Sequence, residues 1–282
     1  MDISIIIPIY RRTEWISKCI NALLNQDYQG VFEVILIDDG SPNEVEIISA
    51  INKLLNDKIF LLKFIRNNHA GPAATRNYGV KFSSGELLCF IDDDSIPEKT
   101  WLREIINSFK ENPQAGIVSG LTLSYYREKG LPLLLEKTIY SGKNWATCNI
   151  AYRRDVFEKL GGFDETFKEA SWEDNELGLR AQWAGYLHIH NTNAVLYHPH
   201  ERTIEEYIKK CFLNGRGAAV FSRKYLYKKP LWGIGTPFVM GRRLIYGLFP
   251  SVWKRDINDE KYLKFLWSYN SLQGFIKVLA NW

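Results

Sequence analysis

From Ile3 to Tyr10 the chain is almost continuously β-branched, interrupted by Ser4 and Pro8 and ending in an aromatic residue. A strand with one wet face alternates polar and apolar residues. A near-continuous apolar run is buried on both faces, which in practice means a parallel sheet with helices on either side. The pattern recurs at Phe32–Ile37, at 59–65 and at Leu87–Ile91. Between these runs the apolar spacing is helical. Arg11-Arg12-Thr13-Glu14 opens a helix to about Asn25, with Trp15, Ile16, Cys19, Ile20, Leu23 and Leu24 on one face. Glu44–Leu55 is a second helix and Gly71–Asn77 enters a third. Strands alternating with helices predict βαβ units in an α/β fold with a doubly wound, mostly parallel sheet. Further along, the spacing predicts a helix over Trp101–Lys110, strands over Ala115–Gly120 and Ala146–Tyr152, and a helix over Arg153–Leu160 closed by Gly161-Gly162. Tyr125–Lys143 reads as a loop or short helix near the site. A helix starts near Asp174, a last strand ends in Val195–His200, and Ile204–Phe212 is helical.

Two of the buried strands end in acidic turns, Asp38-Asp39-Gly40 and Asp92-Asp93-Asp94. Parallel sheets bind ligands at their carboxyl edge, so both turns can border one crevice. If the strand continues past Ile91, Asp92 and Asp94 share a side and Asp93 points away. Close carboxylates repel unless a cation joins them, and a hard divalent ion with oxygen ligands, Mg²⁺ or Mn²⁺, suits such a pair. The competing reading makes Asp94 or Ser95 the N-cap of the next helix. No GxGxxG or GxxxxGK[ST] loop is present, so phosphate charge must be met by metal and side chains. Ser171–Arg180 clusters Glu173, Asp174, Asn175 and Glu176 at a helix start. That is either a first turn favoured by the helix dipole or a carboxylate base facing the crevice. His198, at a strand end, is a plausible metal ligand.

These stretches, taken together, resemble the inverting nucleotide-sugar glycosyltransferases of family 2, which have the GT-A fold. The matching residues are Ser4–Tyr10, Val34–Ser41, Gly71–Gly79, Phe90–Asp94, Gly161–Glu165, Glu173-Asp174 and His198, in the family's order over about residues 3–200. The resemblance implies a GT-A, Rossmann-like, mostly parallel central sheet flanked by helices, with a helical C-terminal extension. It implies that Asp39 reads the donor nucleobase, that Pro8 and Tyr10 line the base pocket, and that Arg76 is a donor-side arginine. Asp92, Asp93 and Asp94 match the metal and donor motif, with Asp94 the direct metal ligand and Asp92 nearer the ribose. Asp93 is the member expected to tolerate substitution. His198 resembles a second protein ligand to Mn²⁺ or Mg²⁺. Asp174 matches the general base, with Glu173 beside it. Asn149 and Trp172 fall on the acceptor side. The expected reaction transfers a sugar from a nucleoside-diphosphate donor, UDP-sugar favoured, to a glycan or lipid-linked acceptor, in cell-surface polysaccharide or glycolipid assembly. The Gln-x-x-Arg-Trp motif of processive members is missing, which favours transfer of one or a few sugars.

The rest of the chain sets the context. Its 282 residues predict one large domain with an appendage, placed at 1–201 and 202–282. Residues 1–201 carry 21 Lys and Arg against 27 Asp and Glu, whereas 202–282 carry 15 against 5. The basic end interleaves Lys228, Lys229, Arg242, Arg243, Lys254 and Arg255 with Tyr227, Trp232, Phe238, Tyr246 and Trp253. This composition fits either an interfacial segment on anionic lipid or helices packed on the core with cations outward. No nucleic-acid-binding signature accompanies it. Asn214-Gly215-Arg216-Gly217 could bring Arg216 towards the donor diphosphate. Cys19, Cys89, Cys148 and Cys211 are scattered without a CxxC and read as reduced thiols. An acidic Asp2 followed at once by a strand predicts no signal peptide, and no apolar stretch reaches about 18 residues. The expected location is cytoplasmic, or peripheral at the inner face of the cytoplasmic membrane. The rival readings are a nucleotidyltransferase of similar fold, poorly served by Pro8–Arg12, and a catalytically inactive binding or scaffold relative.

Overall fold

The computed structural model describes residues 2–55, 61–125, 144–199, 203–225 and 260–280. They fall into two compact units. One holds residues 2–125, 144–168 and Asp174–Pro199; the other holds Glu169–Glu173 and the described chain from residue 203 onwards.

The first unit is built on one eight-stranded sheet. In chain order its elements are β1 (Ile3–Ile9), α1 (Thr13–Leu24), β2 (Phe32–Asp38), α2 (Glu44–Leu55), β3 (Leu61–Arg66), α3 (Pro72–Lys81), β4 (Leu87–Phe90), β5 (Ile96–Pro97), α4 (Trp101–Glu111), β6 (Ala115–Ser124), β7 (Ile150–Arg153), α5 (Arg154–Lys159), α6 (Glu173–Trp183) and β8 (Leu187–His198). The strand order is β3-β2-β1-β4-β7-β6-β8-β5. Strands β3, β2, β1 and β4 are parallel, β7 is antiparallel to both its neighbours, β6 and β8 are parallel, and β5 is antiparallel to β8. β1, β2 and β4 are buried on both faces, as their unbroken apolar runs require, whereas the edge strand β3 leaves Leu61, Lys63 and Arg66 exposed. Ile5, Ile7 and Ile9 enter one core with Ile16, Ile20, Trp101 and Phe109. Ile6 enters the other with Ile37, Phe90, Tyr152, Phe157 and Leu177. Pro8 falls beyond the last β1–β4 pair, Ile6–Phe90, so its missing N–H costs no bond to β4.

Three local expectations are corrected. Helix α1 begins at Thr13, because Arg11 has φ 68° and cannot be helical. Residues 146–149 are a turn, closed by the Asn149 N–H donating to the Ala146 carbonyl at 3.1 Å, and β7 starts only at Ile150. The last strand begins at Leu187, eight residues earlier than its apolar end suggested, since pairing with β6 recruits His188–Asn191 before a bulge leads to Val195. All four cysteines are buried free thiols. Burial pushes Cys89 and Cys148 up to about 12, so both stay protonated.

The second unit contains α7 (Ile204–Tyr225) and α8 (Glu260–Leu279). The backbones meet closely at Gly215 and Gly274. A Cβ on Gly215 would lie 1.7 Å from the Ser271 carbonyl oxygen, and one on Gly274 2.0 Å from that of Phe212. The Ser271 hydroxyl donates to the Cys211 carbonyl across the same crossing at 2.8 Å. Residues 126–143, and 226–259 with the basic-aromatic segment, lie outside the described residues. Among the described residues no helix is long and apolar enough to cross a membrane.

At the edge of the sheet opposite the acidic turns, Glu33 is buried at 5% exposure. It accepts from Ser4 Oγ at 2.6 Å, from the Ser84 backbone and hydroxyl, and from Lys63 Nζ at 2.9 Å. Burial alone would raise its pKa, but these donors hold it down at about 2. Its stabilising contribution is therefore complete above the unfolded value near 4 and is lost as pH falls through 2. Glu33→Gln is expected to lower unfolding stability by about 2 kcal/mol at neutral pH. The deficit should shrink between about pH 4 and 2, read from urea unfolding across pH.

Candidate active site

The carboxyl ends of β1, β2 and β4 lie on one edge of the sheet, and β8 ends there too, because two antiparallel steps through β7 restore its direction. β4 ends at Phe90. The chain then turns, with the Ser95 N–H donating to the Asp92 carbonyl at 3.0 Å and Ser95 Oγ accepting from the Asp92 N–H at 3.3 Å. The N-cap reading is corrected here: Asp94 and Ser95 serve this turn, and α4 begins six residues later, at Trp101. The two-residue strand β5 pairs Ile96 with Tyr197 and so delivers His198 to the turn.

Asp92, Asp94 and His198 converge, with one ligand atom from each lying within 4.8 Å of the others. His198 Nε2 is 3.1 Å from Asp94 Oδ1 and 3.6 Å from Asp92 Oδ2. His198 Nδ1 sits 2.6 Å from the Pro199 carbonyl, an arrangement that places a proton on Nδ1 and turns Nε2 to the carboxylates. Burial would lower the His198 pKa, but Asp94 and Asp92 raise it well above the ordinary value. Burial would raise Asp92, but the Arg76 guanidinium and His198 hold it below the carboxylate range. Two carboxylates and an imidazole are a donor set that fits Mn²⁺ or Mg²⁺. Asp93 is not in this triad. It accepts from the Tyr10 N–H and faces Arg12, and burial with the Asp94 charge pushes it up to about 8.

The donor-side candidates surround the turn. Arg76, buried on α3, places Nη2 2.7 Å from Asp92 Oδ1. Gly71, at φ 91°, opens α3 and could not carry a side chain, because a Cβ would fall 2.4 Å from the Lys168 carbonyl oxygen. Asp39 is buried at the end of β2. Its Oδ1 accepts from the Ala70 N–H at 3.0 Å and its Oδ2 from the Gly71 N–H at 3.1 Å. Its neighbour Asp38 is tied to Ser41 and Arg66. Tyr10 stacks on His69 at 4.6 Å between ring centroids, and His69 Nδ1 lies 2.9 Å from Asp39 Oδ2. Pro8 and Tyr10 are both half-buried on this edge.

Asp174, half-buried in the first turn of α6, binds the Asn175 N–H at 2.7 Å and Asn175 Nδ2 at 2.9 Å, both through Oδ1. Burial raises its pKa, against the Asn175 N–H and the Arg76 charge, while Asp92 adds to the rise. Glu173 is 3% exposed, which leaves Asp174 as the more accessible carboxylate.

Three weaker candidates have partners of their own within the chain. Asn149 is 1% exposed. It accepts from Trp101 Nε1 at 2.8 Å and donates to the Leu121 and Ala194 carbonyls, so its amide holds β6, β8 and α4 together and has no face for an acceptor. Arg216 pairs with Glu169 at 2.7 Å within the second unit. Trp172, at φ 72°, donates Nε1 to Asn214 at 2.6 Å and packs on Phe221. Sequence reasoning missed Arg12 and His69. Nothing local marks either: a second arginine at a helix start and a lone histidine in a turn both read as solvated.

The model of Glycosyl transferase family 2 matches residues 4–145, half of the chain. Glycosyltransferase AglE of Haloferax volcanii is 29% identical over 224 residues, which cover 76% of this chain and 72% of that protein. Among solved structures, the mannosyltransferase PcManGT from Pyrobaculum calidifontis, in complex with GDP-Man and Mn²⁺, superposes with a TM-score of 0.69 at 17% identity. It covers 99% of this chain and 87% of its own. S. aureus TarS 1–349 in complex with UDP-GlcNAc gives 0.58 at 18% identity, covering 98% and 92%. At these identities the superpositions speak for the fold, which is GT-A.

Asp93 lies outside the triad, so an amide in its place leaves the three candidate ligand groups untouched, whereas an amide at Asp94 replaces one of them. Asp93→Asn is expected to keep Mn²⁺ affinity within about threefold, and Asp94→Asn to lower it by more than about tenfold, by paramagnetic titration of the purified chain. Equal losses at both positions would show that the triad is wrongly chosen.

Proposed function

Because the chain belongs to glycosyl transferase family 2, we propose that it transfers a sugar, with inversion and divalent-metal dependence, from a nucleoside-diphosphate sugar to a hydroxyl of a glycan or lipid-linked acceptor. A UDP-sugar is the favoured donor. The observation that carries this reading is the convergence of Asp92, Asp94 and His198 at one sheet edge, next to Arg76 and within the electrostatic reach of Asp174. Asp94, Asp92 and His198 would hold the ion. When bound, a divalent cation supplies Lewis-acid stabilisation of the charge that develops on the leaving diphosphate.

The remaining roles belong to the chain itself. Asp39 presents a fixed carboxylate to the nucleobase, its orientation set by the Ala70 and Gly71 N–H groups. Tyr10 and Pro8 line the same pocket. Arg76 holds Asp92 in place and adds a buried positive charge on the donor side. Asp174 takes the acceptor hydroxyl's proton as the new C–O bond forms. Its Oδ1 is fixed by Asn175, and Oδ2 is the oxygen that receives the proton. The raised pKa makes Asp174 a stronger base than an ordinary aspartate. Attack by one activated hydroxyl inverts the anomeric centre, and no carboxylate nucleophile is needed. Work at the cytoplasmic face of a membrane, with the basic C-terminal region as the contact, fits a lipid-linked acceptor.

A thermal-shift panel of UDP-, GDP- and dTDP-sugars, with and without Mn²⁺, tests the donor reading. Stabilisation by a UDP-sugar that depends on Mn²⁺ is expected; stabilisation by none of them removes it. Asp174→Asn should lower kcat by at least about 100-fold while donor affinity stays unchanged. The acid limb of wild-type kcat/KM should reflect a group above the usual carboxylate range, falling as pH drops through that value. A variant with near-normal turnover would exclude Asp174 as the base.

A further inference from the structure

Arg12 bears on the same carboxylates from outside the triad. It is the residue just before α1, following the left-handed Arg11, whose N–H donates to Ser41 Oγ at 2.9 Å. Its Nη1 lies 3.3 Å from Asp93 Oδ1 and contacts Asp94 Oδ2. The other Asp94 oxygen, Oδ1, faces His198. Both oxygens of Asp94 are therefore engaged, Oδ2 by the Arg12 guanidinium and Oδ1 by the imidazole of His198. A metal entering the triad must take one of them.

The two arginines at this site differ in how firmly they are held. The Arg76 side chain is 4% exposed. The Arg12 side chain is 53% exposed, although the carboxylates it touches are only 7% and 6% exposed. A buried guanidinium cannot leave its carboxylate without stranding a charge. A half-exposed one passes into water at little cost, because exposed ion pairs are weak. The three consecutive aspartates also demand compensation in the chain without metal, and Arg12 supplies part of it. Once a divalent ion does so, the guanidinium becomes surplus positive charge beside the ion.

We propose that Arg12 is a displaceable counter-cation. It covers Asp94 Oδ2 in the metal-free chain, releases it when a divalent cation binds, and pairs at the rim of the site with the diphosphate of the donor. A planar fork suits both carboxylate and phosphate, so one side chain can serve the two partners in turn. The proposal rests on the metal reading given above. It differs from that reading in making metal entry an exchange and not an addition to an open site.

The test follows the guanidinium itself. In the full chain labelled with ¹⁵N-arginine, the Arg12 Nε–H resonance is identified by its loss in Arg12→Lys. Titration with Mg²⁺ is expected to move this resonance towards the position of a solvated arginine, and UDP added afterwards to move it again. An Arg12 signal that stays fixed while Mg²⁺ saturates the chain overturns the exchange. A first shift without a second overturns the transfer to diphosphate. Absence of Mg²⁺ and Mn²⁺ binding altogether overturns the underlying metal reading instead. In direct Mn²⁺ titrations without nucleotide, Arg12→Gln should bind about five- to tenfold more tightly than the wild type. Unchanged or weaker binding counts against the proposal. If Arg12→Gln does not fold, Arg12→Lys keeps the charge but loses the fork, and should shift Mn²⁺ affinity in the same direction by about threefold.

Discussion

Three aspartates in a row, drawn out of water at the end of a buried strand, repel one another, and the site is arranged around that repulsion. The carboxylates are met by side chains drawn from three separate parts of the chain. Asp92 has Arg76 from α3, Asp93 has Arg12 from the entrance to α1, and Asp94 lies between Arg12 and His198 from β8. The sheet makes this convergence possible, because β1, β2, β4 and β8 all end on one edge. Its two apolar faces fix the strand register, and the register fixes which side chains meet.

The same sheet gives neighbouring acids different surroundings. Asp38 and Asp39 are adjacent, yet Asp38 is consumed by Arg66 and Ser41, while Asp39 is braced by two backbone N–H groups at the start of α3. Glu173 and Asp174 divide in a similar way by exposure. In both pairs two acids adjacent in sequence differ in their partners or their exposure. Glu33, at the far edge, shows the third case, a carboxylate whose donors are all internal.

Much of the fold was legible because β-branched runs and helical spacing report burial directly. β1, β2 and β4 stood out for that reason, as did α1 and α4. The stretch 146–149 was misread as strand, since Ala-Thr-Cys-Asn carries no turn signal; the side-chain bonds of Asn149 shape it. The polar start of β8 was hidden because its pairing with β6 overrides its composition. In the site, Asp92, Asp94 and His198 could be named from sequence. The reason for their meeting could not, since it depends on a two-residue strand below the reach of any periodicity. Arg12 was invisible for a related reason: its partners lie about eighty residues away, as the Arg12–Asp94 spacing of 82 records.

That two-residue strand also sets when the site comes into being. Asp92 and Asp94 emerge early in synthesis, but His198 reaches them only after α4, β6, β7 and β8 have been made and β5 has closed on Tyr197. Loop closure over about a hundred residues comes late, because its entropic cost must be met before the contact is gained. A nascent or partly folded chain therefore holds two of the three ligand groups and not the third. The convergence of the three groups is therefore a property of the completed sheet and not of any single segment of it.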